Sequence, residues 1–204
     1  MNKIIDPSNL ILEFLEVAIH CILYSRKLYP DGIFTLQKKY GVPIHVSMYP
    51  DLNNYIFESL NAVKYVLLKN ELKQMDICFY NRLAKPIERF IFKISSLQQN
   101  IKNIENHDPY LLKLKEMFRS FCLKLGSNNS YMTPLPEGAN FKIAIHTNEK
   151  ASTSLSEDPQ FQKFPWIEAE KIDIDIDNAT LIPLRTIEHD LFNIHIYSEE
   201  SETK

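Results

Sequence analysis

Three segments with helical spacing of apolar residues alternate with short segments of β character, and this order constrains the fold more than any other feature. The helical segments span about 6–27, 50–70 and 108–126, and each opens at a capping residue or a proline typical of helix N-termini. Gly126 is expected to cap the third helix. Short apolar or alternating runs predict strands over 33–40, 42–48, 75–80, 87–94, 141–147 and 191–197.

Size and composition indicate one soluble globular domain. The chain has 204 residues, a mass of 23.9 kDa, 45% hydrophobic residues and 24% charged residues. Its four glycines, Gly32, Gly41, Gly126 and Gly138, are isolated from one another. Loops that cradle phosphate need clustered glycines, so the sequence argues against a nucleotide-binding α/β enzyme.

Net charge and cysteine content narrow the class of protein further. The formal net charge is −3, without the concentrated basic charge that direct, non-specific nucleic-acid binding requires. Three widely spaced cysteines, Cys21, Cys78 and Cys122, indicate reduced thiols in an intracellular protein. The apolar stretch 10–28 carries several charged side chains, so we expect neither a membrane span nor a secretory signal there.

The last quarter of the chain differs from the rest. Residues 148–162 are dominated by polar side chains, which predicts a functional or disordered segment. In 172–177 isoleucine alternates with aspartate, which predicts a strand whose aspartates form a solvated face. Residues 199–204 are expected to be a frayed tail.

Motifs for catalysis or metal binding are missing from the sequence. The six histidines form neither an HxxxH nor an HExxH pair, and no serine lies in a GxSxG turn. We therefore expect no cofactor, no metal and no catalytic residue, and interpret the chain as a binding protein. A hydrolase with a dispersed site and a direct DNA binder remain alternatives.

A few aromatic residues are candidates for binding. Trp166, the only tryptophan, follows the polar segment, where it could clamp a proline ring or fill the core. Tyr55 lies at the flank of the second helix's apolar stripe. In the last strand Asn193, His195 and Tyr197 share the face opposite the apolar residues, where they form either a docking patch or an ordinary solvated face.

Four strings in order carry a resemblance to a known family. They are residues 20–34 (HCILYSRKLYPDGIF), 38–43 (KKYGVP), 164–167 (FPWI) and 181–186 (LIPLRT). Together they resemble the HORMA family in its translesion-polymerase branch, and the similarity covers nearly the whole chain.

The resemblance implies a single α+β HORMA domain over residues 1–204. Three helices would pack on a mostly antiparallel sheet, with a core over 1–147 and a mobile C-terminal safety belt over 148–204. Beneath this belt, family members hold an extended, proline-containing peptide that adds as a strand. By resemblance Tyr29, Tyr55 and Trp166 contact that peptide.

The resemblance also implies a function and partners. It implies a non-catalytic nuclear adaptor, also present in the cytoplasm, that clamps the catalytic subunit of DNA polymerase zeta in translesion synthesis and DNA repair. Leu181, His195 and Tyr197 match a patch that docks the C-terminal domain of the deoxycytidyl-transferring Y-family polymerase, although relatives carry glutamine at the position of His195. The shieldin subunit and an AAA+ remodelling ATPase are further implied partners.

Self-association is implied at Arg119, which matches an arginine used by the family for homodimerisation. Lys27 stands where relatives carry an acidic residue, and this reversal of charge predicts weaker pairing. A binding role in cell-cycle control through the anaphase-promoting complex, or in meiotic chromosome axes, is the main alternative within the family.

Overall fold

The computed structural model describes residues 6–95, 107–128 and 132–204. The helices are α1 (Pro7–Ser25), α2 (Pro50–Leu68), α3 (His107–Asn128) and α4 (Glu149–Glu157). The strands are β1 (Phe34–Lys39), β2 (Val42–Ser47), β3 (Gln74–Tyr80), β4 (Pro86–Ser95), β5 (Asn140–His146), β6 (Ala179–His189) and β7 (Phe192–Ser201).

Helix α1 lies at the centre of the core. Asp6 caps it by accepting a hydrogen bond from the Ser8 N–H at 2.9 Å, and Pro7 occupies a first-turn position. Its Phe14 ring stacks on Phe118 of α3 with centroids 4.2 Å apart. Although α1 is long and apolar enough to cross a membrane, 61% of its most apolar window is buried inside the domain, as in the core helix of a soluble protein.

Two antiparallel sheets complete the α+β fold. Strands β1 and β2 form a hairpin, and the larger sheet has the order β5-β3-β4-β7-β6. One face of the larger sheet joins the helices in the main core through alternate residues of each strand, such as Ile77, Phe90 and Ile194. We call the opposite face the outer face; it carries Asp76, Arg89 and their neighbours.

The predictions for the first 147 residues match these elements closely, with one difference at the end of α3. The helix continues to Asn128, so Gly126 lies inside it and does not act as the cap. The expected count of three helices is also wrong, because the polar segment after β5 forms α4, where Asn148 caps the helix and Ala151 and Leu155 are buried.

The predicted strand over 172–177 does not form. Residues Lys171–Asp173 make a short 3-10 helix, in which the Glu170 N–H donates to the Asp173 carboxylate at 3.1 Å. No strand of the described chain pairs with this segment. A strand that was not predicted, β6, forms instead at 179–189, where β7 supplies its hydrogen-bonding partner.

The expected frayed tail is largely ordered. Strand β7 continues through Glu199 to Ser201, and the Lys204 ammonium lies 2.8 Å from the Glu200 carboxylate. Lys204 also contacts buried Glu88 of β4. The C-terminal residues are therefore tied to the body of the domain.

Candidate functional site

Strand β5 presents a free edge. Among the described strands it pairs only with β3. The Lys73 N–H donates to the His146 carbonyl at 2.9 Å, so His146 points toward the β3 side. Odd-numbered residues of the strand consequently point their backbone groups away from β3. The Ile143 N–H does so, and donates to the Tyr55 hydroxyl at 3.0 Å.

Five aromatic residues lie together at this edge, and we call them the aromatic cluster. Phe141 of β5 contacts Tyr29 and Tyr55, with ring centroids 6.3 and 5.5 Å apart. Phe164 contacts Tyr55 at 5.7 Å and Trp166 at 6.3 Å. The three residues expected to bind peptide are thus brought together, although their role stays a prediction.

Phe141 and Phe164 connect the cluster, and sequence reasoning did not single them out. Phe164 lies in the same four-residue string as Trp166, which was a usable signal. Phe141 is the first apolar residue of β5 and pairs with Phe79 of β3. Its position gave no hint of contact with Tyr29 and Tyr55, because those contacts depend on packing between distant segments.

The polar groups of the cluster are all protonated. Burial raises the pKa of Tyr29 and of Tyr55, so both phenols keep their protons at neutral pH. The Trp166 indole N–H is buried and has no hydrogen-bond partner among the described residues. A buried indole N–H usually has an acceptor, so this donor is suited to a carbonyl.

Residues 147–178, which we call the crossing segment, wrap around the free edge of β5. Its first part packs on α2, where the Phe161 and Tyr65 ring centroids are 5.2 Å apart. Phe164 then contacts Tyr55 at the edge. Farther on, Asp175 pairs with Arg89 of β4 at 3.3 Å on the outer face. The segment therefore runs from one edge strand, β5, across the sheet to the other, β6.

Arg89 anchors the crossing segment to the outer face. Its guanidinium pairs with Glu199 of β7 at 2.6 Å and donates to the Ile174 carbonyl at 3.4 Å. It also lies 3.9 Å from fully buried Asp76. With only 13% of its side chain exposed, Arg89 is much less screened by solvent than a surface arginine.

The residues expected to dock a second partner share the outer face of the β6–β7 hairpin. Leu181 is 56% exposed and lies opposite Glu199. Tyr197 and His195 alternate with the buried residues of β7, as predicted. Lys93 of β4 extends this patch, with its ammonium 5.3 Å from the centre of the Tyr197 ring. Their docking role stays a prediction.

The two residues that the resemblance links to self-association, Arg119 and Lys27, occupy exposed positions. Arg119 lies on α3, with its guanidinium next to Gly41 in the β1–β2 turn. Lys27 pairs with Asp31 at 2.7 Å and lies over the Tyr24 ring. Within 6–95, 107–128 and 132–204, no group of three or more His, Cys, Asp or Glu side chains is placed to hold a metal ion.

Known proteins are similar to this chain over most of its length. The chain is 36% identical over 197 residues to mitotic spindle assembly checkpoint protein MAD2B of Rattus norvegicus, covering 97% of this chain and 92% of the relative. It is 29% identical over 184 residues to DNA polymerase zeta subunit 2 of Drosophila melanogaster, covering 89% and 91%.

Solved structures share the fold at lower identity. A chain of the mitotic checkpoint complex superposes with a TM-score of 0.78 at 18% identity, covering 95% of this chain and 97% of that one. Caenorhabditis elegans HTP-2 bound to the HIM-3 closure motif superposes with a TM-score of 0.72 at 11% identity, covering 97% and 92%. The sequence profile of the HORMA domain matches residues 7–171. The chain therefore belongs to the HORMA-domain family, as its four sequence strings predicted.

Proposed function

We propose that this protein is a non-catalytic accessory subunit of DNA polymerase zeta that holds an extended, proline-containing peptide of the catalytic subunit. The observation that carries the proposal is the free edge of β5, which lies beside the aromatic cluster and inside the loop made by the crossing segment. The names of the relatives support the polymerase assignment. In its solved structure HTP-2, which shares the fold, is bound to the HIM-3 closure motif.

An extended peptide fits this edge chemically. Its backbone would pair with the groups of β5 that point away from β3, including the Ile143 N–H now held by Tyr55. Prolines are tolerated in such an edge strand where their missing N–H faces away from the sheet. The tyrosine and tryptophan rings offer flat apolar surfaces to proline, and the Trp166 N–H offers a donor to a peptide carbonyl.

A second partner would bind at the opposite end of the sheet. Leu181, His195 and Tyr197 lie on the β6–β7 hairpin, while β5 forms the other edge. Because the surfaces are separate, the Y-family polymerase domain and the peptide can be held together, which is what an adaptor in translesion synthesis requires. Shieldin is a further candidate for the peptide edge, and an AAA+ ATPase for opening the crossing segment. We place the protein in the nucleus.

The peptide assignment is tested by titrating a proline-rich peptide of the catalytic subunit into the full chain. Tyr55→Ala and Trp166→Ala should each weaken binding about 10-fold to 100-fold, the range expected for buried aromatic anchors. Tyr197→Ala is the matched control: it should leave peptide affinity unchanged while weakening the Y-family domain. Wild-type affinity in a Tyr55→Ala/Trp166→Ala double variant would refute the assignment.

A second candidate is a cell-cycle or meiotic-axis HORMA protein. The spindle-checkpoint names of several relatives and the HTP-2 structures favour it. It would use the same edge of β5 for a closure motif of a checkpoint or chromosome-axis protein, or bind the anaphase-promoting complex. Mass spectrometry of proteins retained by the wild-type chain, and lost with Trp166→Ala, separates the candidates by the partner recovered.

A further inference from the structure

Two of the three cysteines meet between α1 and α3. Cys21 of α1 and Cys122 of α3 are both half-buried free thiols. Both pack against the same small apolar cluster of Val17, Val42 and Ile44. They lie 101 positions apart in the sequence (122 minus 21), so only the tertiary fold brings them together.

The surrounding packing holds this arrangement in place. Phe14 of α1 stacks on Phe118 at 4.2 Å and meets Phe121 edge-on at 5.2 Å. Phe121 directly precedes Cys122. The helices are thus locked together next to the two cysteines, which limits how far their side chains can separate.

The two thiols also divide the chemical roles between them. The interaction between the two thiols lowers the pKa of Cys122, because the neighbouring Cys21 thiol stabilises the Cys122 thiolate. The same interaction, together with burial, raises the pKa of Cys21. These opposite directions favour Cys122 as the nucleophile of the pair and Cys21 as the residue that keeps its proton.

We propose that Cys21 and Cys122 form an oxidant-sensitive site, at which a hydroperoxide converts the two thiols into an intramolecular disulfide that joins α1 to α3. This modification goes beyond the adaptor function and does not depend on it. The site takes a small oxidant because both residues are only partly buried.

The reaction proceeds in two balanced steps. The Cys122 thiolate attacks one oxygen of hydrogen peroxide, the O–O bond breaks, and after protonation Cys122 is a sulfenic acid and the departing hydroxide is one molecule of water. The Cys21 sulfur then attacks the sulfenic sulfur, and the S–O bond breaks. The departing hydroxide takes the Cys21 proton and leaves as a second water. The two thiols lose two electrons, and hydrogen peroxide gains them.

Cys78 provides an internal comparison. It is fully buried in β3, and burial raises its pKa to about 12. A thiol that is neither exposed nor ionised reacts slowly with peroxide. We therefore expect peroxide to oxidise Cys21 and Cys122 and to leave Cys78 reduced.

The test treats the reduced full chain with hydrogen peroxide at neutral pH, alkylates remaining thiols after unfolding, and maps peptides without reduction. The expected product links the Cys21 and Cys122 peptides with loss of two hydrogens, reverts with dithiothreitol, and leaves Cys78 alkylated. Cys78→Ser should form the same link, and Cys122→Ser should not. The linked protein should also melt at a higher temperature, because the bridge closes a loop of about 100 residues in the unfolded chain.

Three outcomes would overturn the proposal, and all are read from the wild-type chain, so they do not depend on whether a variant folds. One is full alkylation of both cysteines after peroxide treatment. Another is conversion of Cys122 to sulfinic or sulfonic acid without a Cys21 link. The third is a bridge between two molecules in place of the intramolecular one.

Discussion

Tyr55 contributes to the candidate site in two separable ways. Its ring packs between Phe141 and Phe164, and its hydroxyl accepts the hydrogen bond of the Ile143 N–H at 3.0 Å. The hydroxyl thus accepts from a backbone N–H with which a guest strand would otherwise pair. Removing the ring and removing only the hydroxyl should therefore have different effects on peptide binding.

Tyr55→Phe should lower the free energy of unfolding by about 1 kcal/mol, because the Ile143 N–H loses its partner. Peptide binding should be no weaker than in the wild type, since the guest carbonyl takes over that donor. Urea denaturation and calorimetric titration measure the two quantities. Tyr49→Phe is the control: its hydroxyl bonds Asp51 on the surface, and its loss should change stability by less than about 0.5 kcal/mol. A loss of affinity as large as that of Tyr55→Ala would mean that the hydroxyl itself contacts the guest.

His20 gives the fold a dependence on pH. It is 4% exposed in α1, its Nδ1 accepts a hydrogen bond from the Ser47 N–H at 3.4 Å, and burial lowers its pKa to about 4. In the unfolded chain His20 has the ordinary histidine pKa of about 6.5. Between these values the unfolded state binds more protons, so stability falls as pH falls.

The wild type should lose on the order of 3 kcal/mol of stability through His20 as pH falls from about 7 to 4. His20→Asn keeps a hydrogen-bond acceptor but cannot titrate, so its unfolding free energy should fall less steeply across this range. Urea denaturation at several pH values gives the slopes. His195→Gln, a change at an exposed histidine, is the control and should retain the wild-type slope. A slope as steep as that of the wild type in His20→Asn would contradict the assignment of the pH dependence to His20.

At the level of elements, residues 168–177 of the crossing segment are held by a few polar contacts on the outer face. Arg89 joins β4 to β7 through Glu199 and to the segment through Asp175 and the Ile174 carbonyl. Many neighbouring residues of the segment are exposed, including Ile172 at 77%. The local stability of residues 168–177 therefore depends more on Arg89 than on apolar burial.

Arg89→Gln should increase amide hydrogen exchange in residues 168–177 by about 10-fold, which corresponds to about 1.4 kcal/mol of lost local stability. If the segment encloses a guest, the bound peptide should also dissociate faster. Arg82→Gln is the matched control, because Arg82 makes one exposed ion pair with Glu137. Unchanged exchange in Arg89→Gln would show that other contacts hold the segment.

At the level of the whole molecule, a buried ionic network joins distant parts of the chain. The Arg26 guanidinium, at the end of α1, forms two hydrogen bonds with fully buried Glu88 of β4, at 2.7 and 2.9 Å. Arg26 also donates to the Thr133 carbonyl at 2.6 Å. The Thr133 N–H donates to Glu200 of β7 at 2.9 Å, and Lys204 contacts both carboxylates. The C-terminal strand is thereby tied to the first helix.

Glu88→Gln should lower the free energy of unfolding by about 3 to 5 kcal/mol, because Arg26 keeps a buried charge without its counterion. Chemical denaturation measures the change. Lys27→Gln breaks the exposed pair with Asp31 and should cost less than about 1 kcal/mol. Equal losses of unfolding free energy in Glu88→Gln and Lys27→Gln would show that the buried Arg26–Glu88 pair matters no more to stability than an exposed pair.

Local features of the fold could be predicted from the sequence. Helix α1 begins where Asp6 and Pro7 indicate, and the β1–β2 hairpin turns at Gly41, whose φ of +76° suits glycine. The alternation that places His195 and Tyr197 on the face opposite Ile196 also holds. These features depend on residues within a few positions of one another, whose spacing is written directly in the chain.

Tertiary structure alone decided which segments found partners. The alternating 172–177 segment has a strand pattern but no strand beside it among those that the structure describes, and the Arg89 guanidinium donates to its Ile174 carbonyl instead. Residues 179–189 form a strand despite Pro183 because β7 offers a free edge. Likewise, the aromatic cluster and the Cys21–Cys122 pair join residues that are far apart in sequence. Their proximity follows from the packing of all elements together, and local spacing in the sequence does not specify that packing.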